Sequence, residues 1–160
     1  MKTIVVGYDS SDAAERALAR GAEIAEAFSA RLVVVSVSGS ALAARAVPEP
    51  IGDIPTPAAA SPFGPTMVAP ELAVEGPALE EAAQRQLERA RRSLAGREIE
   101  TEYVAELGDP ADRLLDAAQK HDADLIVVGT REHGFLERLL GPPVEEAVAR
   151  SFERDVLLVH

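Results

Sequence analysis

Four consecutive apolar residues, Leu125 to Val128, end at Gly129. A run this short, rich in β-branched side chains and closed by glycine, fits a strand covered on both faces. Similar runs occupy Ile4 to Tyr8 and Leu32 to Val37. Segments of helical period lie between such runs along the chain. That alternation narrows the fold more than any other feature. Strands that alternate with helices form a parallel sheet with helices on both of its faces. Ligands of such sheets sit beyond the carboxyl ends of the strands, where the strand order reverses.

The intervening segments fill in the order. Ser11 or Asp12 can cap a first helix, and Asp12 to Glu15 has capping-box spacing. Its apolar face is Ala14, Ala17, Leu18, Ala22, Ala25 and Phe28. Ala78 to Ala95 is a second amphipathic helix, striped by Leu79, Ala83, Leu87, Ala90 and Leu94 and stopped at Gly96. Ile99 to Leu107 alternates, with Ile99, Thr101, Tyr103, Ala105 and Leu107 on one side and mostly glutamates on the other. Such a half-exposed strand belongs near a sheet edge. Gly108-Asp109-Pro110 starts a further helix, with Asp109 as cap, Pro110 at the first position, and Leu114, Leu115 and Ala118 as its buried side. Val144 to Phe152 reads as the last helix and Val156 to His160 as the last strand. The whole chain, 1–160, reads as one domain. It carries a Pro/Ala-rich loop insertion at about 39–77, where repeated prolines forbid a regular helix.

Composition bounds the function. A net charge of −11 argues against general nucleic-acid binding, which needs a basic footprint, and against an anionic membrane surface. No apolar run approaches the roughly 20 residues of a membrane span. The start MKTIVVGYD is too short in its apolar part for a signal peptide. The chain has no Cys, so disulfides and thiolate zinc sites are excluded. These features predict a soluble, cytoplasmic protein.

The stretch from Asp124 to Val144 is where a ligand is expected. Strand, glycine-bearing loop and helix start together make an anion site, because glycine lets the backbone approach and a helix N-terminus offers N–H groups and partial positive charge. Gly129, Gly134 and Gly141 punctuate this stretch, and Arg131, His133 and Arg138 add positive charge. Asp9 and Gly129 both fall at strand ends. If the first and fourth strands are neighbours, their loops line one crevice. No arrangement of nucleophile and base is evident from the sequence, so no enzymatic activity is predicted.

Four segments carry a resemblance to the universal stress protein family over essentially the whole chain. IVVGYDSSDAAERAL resembles that family's first strand, aspartate and helix. GDPADRLLDAAQKHDADLIVVGT is similar to its third helix and fourth strand, REHGFLERLLG to its phosphate loop, and DVLLVH to its closing strand. The resemblance implies a Rossmann-like domain of the adenine nucleotide alpha hydrolase type, with a five-stranded parallel sheet in the order 3-2-1-4-5 and a homodimer. It also implies a crevice for ATP or AMP formed by Tyr8, Asp9, Val37, Val128, Gly129, Thr130, Arg131, His133 and Gly141.

One branch of that family binds ATP through a loop of the form Gly-x2-Gly-x9-Gly-Ser/Thr. Gly129 and Gly141 match its outer glycines, and Gly134 can serve as a displaced second glycine. Three departures weaken the match: Glu132 replaces the second glycine, the loop is one residue short, and Pro142 replaces the hydroxyl residue. A carboxylate repels phosphate, and proline supplies neither hydroxyl nor N–H. The expectation is a non-enzymatic stress-response regulator with a degraded ATP loop. The alternatives are a nucleotide sensor and a slow hydrolase using the same crevice. No metal site is expected. The homodimer is expected to form through Val156, Leu157, Leu158 and Val159 at a sheet edge, with other protein partners unknown.

Overall fold

The computed structural model describes residues 1–39, 76–130 and 144–160. Within these, β1 (Thr3–Gly7) leads to α1 (Asp12–Phe28) and β2 (Arg31–Ser38). Next come α2 (Gly76–Ser93), β3 (Thr101–Leu107), α3 (Pro110–Lys120) and β4 (Leu125–Gly129), and last α4 (Val144–Ser151) and β5 (Asp155–Val159). All neighbouring strands pair in parallel, in the order β3-β2-β1-β4-β5. This is the α/β, doubly covered sheet expected from the alternation.

The two faces divide the strand side chains by parity, as the pleat requires. Ile4, Val6, Leu32, Val34, Leu125 and Val127 pack under α1 and α2, against Ala17, Leu18, Ala22, Leu87 and Ala90. Val5, Val33, Val35, Ile126 and Val128 pack under α3 and α4, against Leu114, Ala117, Ala118 and Val148. Both faces of β1, β2 and β4 are covered, which is why these strands read as continuous apolar runs rather than alternating ones. The outermost strand, β3, is only half-buried along its length and does alternate: Tyr103 and Ala105 face one cluster and Val104 the other.

Several sequence expectations shift at the element ends. The first and last strands start and stop one residue earlier than expected, the third begins at Thr101 rather than Ile99, and α2 begins at Gly76. Phe28 lies on the apolar stripe of α1 by angle but is 59% exposed. It is the last helical residue, where Ser29 adopts a left-handed φ of 50° and returns the chain to β2. Leu107, expected on the buried side, is exposed at the end of the outermost strand. The insertion expected at about 39–77 falls outside the described residues, except Gly39 at its start and the helical Gly76 and Pro77 at its end.

The amino ends of the central strands are tied by side chains. Asp124, just before β4, accepts hydrogen bonds from the backbone N–H groups of Lys2 and, at 3.2 Å, Thr3. These bonds hold its carboxyl below the usual carboxylate range. At the opposite, carboxyl ends of the strands, α1, α3 and α4 begin.

Candidate functional site

A cleft of about 350 Å³ opens above the carboxyl ends of β1, β2 and β4. It lies where the strand order reverses between β1 and β4, the ligand position of open α/β sheets. Its floor and walls include Tyr8, Asp9, Val35, Val37, Gly39, Val128 and Gly129, with Pro110 and Leu114 from α3 and Glu145 from α4.

The exit from β1 is built by short-range hydrogen bonds. Tyr8 continues the sheet ladder, its N–H donating to the Val35 carbonyl at 2.9 Å. Asp9 then accepts the Ser11 N–H at 3.0 Å in an Asx turn. Ser10 between them takes a left-handed φ of 64°. Ser11 is the N-cap of α1 and accepts the Ala14 N–H at 3.2 Å. The capping box expected from Asp12 and Glu15 therefore does not form. Glu15 turns away instead, accepting a hydrogen bond from the buried Tyr8 hydroxyl and another, at 3.0 Å, from Ser93. Burial pushes the Tyr8 phenol up to about 12, helped by the Glu15 hydrogen bond and its negative charge.

Gly129 ends β4 under the first turn of α1. A Cβ there would stand 2.3 Å from the Ala13 carbonyl oxygen and 2.4 Å from its carbon. Sequence reading assigns this glycine to phosphate contact, but its packing against the α1 backbone is sufficient reason for it. On the other side, Gly39 and Gly108 meet backbone to backbone. A Cβ on Gly39 would lie 2.9 Å from the Gly108 oxygen, and the Gly108 N–H donates to Ser38 at 3.1 Å. This contact joins the ends of β2 and β3 at the cleft rim. Beyond it, α3 starts with Asp109 accepting the N–H groups of Ala111 and Asp112 at 2.9 and 3.3 Å.

Of the residues expected at the site, the structure brings together Tyr8, Asp9, Val37, Val128 and Gly129 on the cleft wall. Thr130 is not among them. Its N–H donates to the Val159 carbonyl at 2.8 Å, and its hydroxyl lies 2.8 Å from Nδ1 of the exposed His160. It lines an adjoining recess with Asp12, Arg16 and His160, and that recess shares Ser11 and Glu145 with the cleft. Arg131, Glu132, His133, Gly134, Arg138, Gly141 and Pro142 lie outside the described residues. His121 caps the C-terminus of α3, following Lys120. Its side chain is largely buried, with Nδ1 3.6 Å from a Glu102 carboxylate oxygen. Sequence reading missed Ser11, Gly39, Pro110, Leu114 and Glu145. The Gly108-Asp109-Pro110 helix start carried the signal for Pro110, since it marks a strand's carboxyl end on the cleft side.

Comparison with known proteins agrees with this architecture. The chain is 34% identical over 157 residues to a universal stress protein of Thermus aquaticus, covering 94% of this chain and 93% of that one. It is 32% identical over 160 residues to a universal stress protein of Mycobacterium tuberculosis, covering 99% and 96%. Among solved structures, a universal stress protein in complex with cAMP superposes with a TM-score of 0.67 at 26% identity, covering 99% of this chain and 97% of that one. A universal stress protein from Archaeoglobus fulgidus in complex with dAMP shares the fold at 20% identity, with a TM-score of 0.64 and coverage of 100% and 98%. The model of the universal stress protein family matches residues 1–52 and 54–160, and the chain belongs to that family.

Proposed function

We propose that this protein is a non-enzymatic, stress-responsive regulator whose cleft takes an adenine nucleoside or a nucleotide of low charge in preference to ATP. The observation that carries this reading is the position of Glu145. It stands in the first turn of α4 and lines the cleft. That helix start is where the resembled ATP loop would deliver its phosphate contacts. A carboxylate at that point competes for any cation or N–H group that phosphates would need. Glu132, the shortened loop and Pro142 act in the same direction. The base-facing wall, by contrast, keeps the apolar Val37 and Val128 beside Asp9. The related structure bound to cAMP supports an adenine ligand of low charge.

A non-enzymatic role is supported by the cleft's own chemistry. The described wall carries no His, Lys or Arg, and its hydroxyls, Ser11 and Tyr8, are engaged as helix cap and as donor to Glu15. Calorimetry of the wild-type protein with ATP and with AMP tests the reading. AMP should bind at least several-fold more tightly. Micromolar ATP binding that exceeds AMP binding would favour the sensor alternative.

The regulator acts as a homodimer in this proposal. The last strand, β5, lies at the sheet edge and leaves Leu158 exposed. An apolar edge is an association site, and pairing with its symmetry mate would satisfy its free donors and acceptors. Leu158→Lys should convert a dimer to a monomer in analytical ultracentrifugation. A wild-type chain monomeric at micromolar concentration would sink the proposal. No described helix is long and apolar enough to cross a membrane.

A further inference from the structure

Tyr8 lines the cleft, yet its side chain packs on the other side of the sheet. The pleat turns Gly7 toward Leu114 of α3 and sets Tyr8 with Ile4 and Val6 in the cluster under α1 and α2. There the Tyr8 hydroxyl donates to the carboxylate of Glu15 on α1. The second oxygen of that carboxylate accepts the hydroxyl of Ser93, at 3.0 Å. Ser93 is the last residue of α2 and is exposed. One chain of hydrogen bonds thus runs from the turn beside the cleft, across α1, to the end of α2.

The turn that this chain fastens is a demanding one. Ser10 holds a left-handed φ of 64°, which a residue other than glycine keeps only where its surroundings fix it. Asp9 and Ser11 fix the turn from within, through the hydrogen bond between them. Tyr8 fixes it from behind, through its ladder bond to Val35 and its hydroxyl. Ser11 is the side chain that caps α1, and the Glu15 carboxylate serves Tyr8 and Ser93 instead.

Building on the reading of the cleft as an adenine site, we propose that Glu15 and Ser93 are positioning residues for it. Through the Tyr8 hydroxyl they hold the turn from Tyr8 to Ser11 in the shape that the ligand meets. They also couple the cleft, walled by α3 and α4, to the last turn of α2 across the sheet. A ligand that settles the turn steadies Tyr8, Glu15 and Ser93 in sequence. The coupling is reciprocal, so a partner that steadies the end of α2 raises affinity in the cleft by the same factor. A loosened turn must be ordered when the ligand arrives, and that cost lowers affinity. The contact between Glu15 and Ser93 is exposed to water, which keeps the expected effect of Ser93 modest.

The test uses the full chain. It has two tyrosines and no tryptophan, so Tyr103→Phe leaves Tyr8 as the single fluorescent reporter. In that background Ser93→Ala, Ser93→Thr and Glu15→Gln are compared, with thermal melts to establish that each is folded. A phenol that donates to a carboxylate emits weakly. Emission near neutral pH should therefore rise in Glu15→Gln, rise less in Ser93→Ala, and stay at the parent level in Ser93→Thr, which keeps the hydroxyl. Calorimetry with AMP should show affinity about threefold lower in Ser93→Ala and about tenfold lower in Glu15→Gln, with Ser93→Thr unchanged. Hydrogen exchange reads the coupling at its far end. Saturating AMP should slow the Leu94 and Ala95 amides, which bond to Ala90 and Arg92 at the end of α2, and Ser93→Ala should abolish that slowing. Tyr8 emission unchanged in Ser93→Ala, or AMP affinity unchanged in both Ser93→Ala and Glu15→Gln, overturns the positioning role while leaving an adenine site standing. Binding of neither AMP nor adenosine to the parent chain removes the adenine reading, and the coupling with it.

Discussion

Gly129→Ala should destabilise the protein by about 3 kcal/mol, at the upper end of the usual range for inserting a methyl group into a packed interior. The reason is what the new Cβ would meet. The Ala13 carbonyl carbon and oxygen, at 2.4 and 2.3 Å, belong to the backbone of the first turn of α1. They cannot rotate away as a side chain can. The helix must shift from the sheet, carrying its cap Ser11 and the Asp9 turn with it. Gly7→Ala is the appropriate control. Its Cβ would meet Leu114 and Val128 methyl groups at 3.0 to 3.3 Å, and these can yield, so the loss should be about 1 kcal/mol. Urea unfolding measures both. Equal, small losses would show that α1 adjusts freely against β4, and the account of Gly129 as a packing residue would fail.

Stability should also fall steeply in alkali. The Tyr8 phenol is raised in the folded protein from 10.0 to about 12, by burial first and by Glu15 second. A folded value above the unfolded one contributes stability that is fully present below pH 10 and is lost as pH rises from 10 to 12. A shift of about two units corresponds to about 2–3 kcal/mol. Tyr103 is raised in the same direction, by burial, so the two tyrosines are separated by single Phe variants. Tyr8→Phe should lose about 1 kcal/mol at pH 8, where the hydrogen bond to Glu15 is removed. Above pH 10 its stability should decline less steeply than that of wild type. Denaturant unfolding at several pH values between 8 and 12 gives both curves, and parallel curves would contradict the assignment.

The buried strands were legible because burial on both faces leaves a continuous apolar signature, as at Ile4 to Val6 and Leu125 to Val128. The edge strand was legible for the opposite reason, since β3 alternates. Helix starts at Ser11 and Asp109 followed from cap chemistry. What escaped the sequence depends on distances between remote segments. Nothing local distinguishes Glu145, which reaches the cleft, from Glu146, which pairs with Arg150 on the helix surface. Thr130 follows the strand-end glycine, yet its hydroxyl faces β5 because the register sets Gly129 beside Val159. Tyr8 shows the same limit. Its position at a strand end was plain, while its bond to Glu15, seven residues on, required the left-handed turn at Ser10.

The meeting of Gly39 with Gly108 has an evolutionary consequence. Two backbones in contact, with a hydrogen bond from Gly108 to Ser38, fix the point from which the chain leaves β2. The chain re-enters the fold at Gly76, the start of α2, on the opposite face of the sheet from α3. Lengthening a connection between fixed ends adds only about 0.6 kcal/mol for each doubling. Descendants of this gene can therefore gain or lose residues between those anchors while the cleft wall stays in place. Variation in the length of this one segment should be inherited separately from changes in ligand preference.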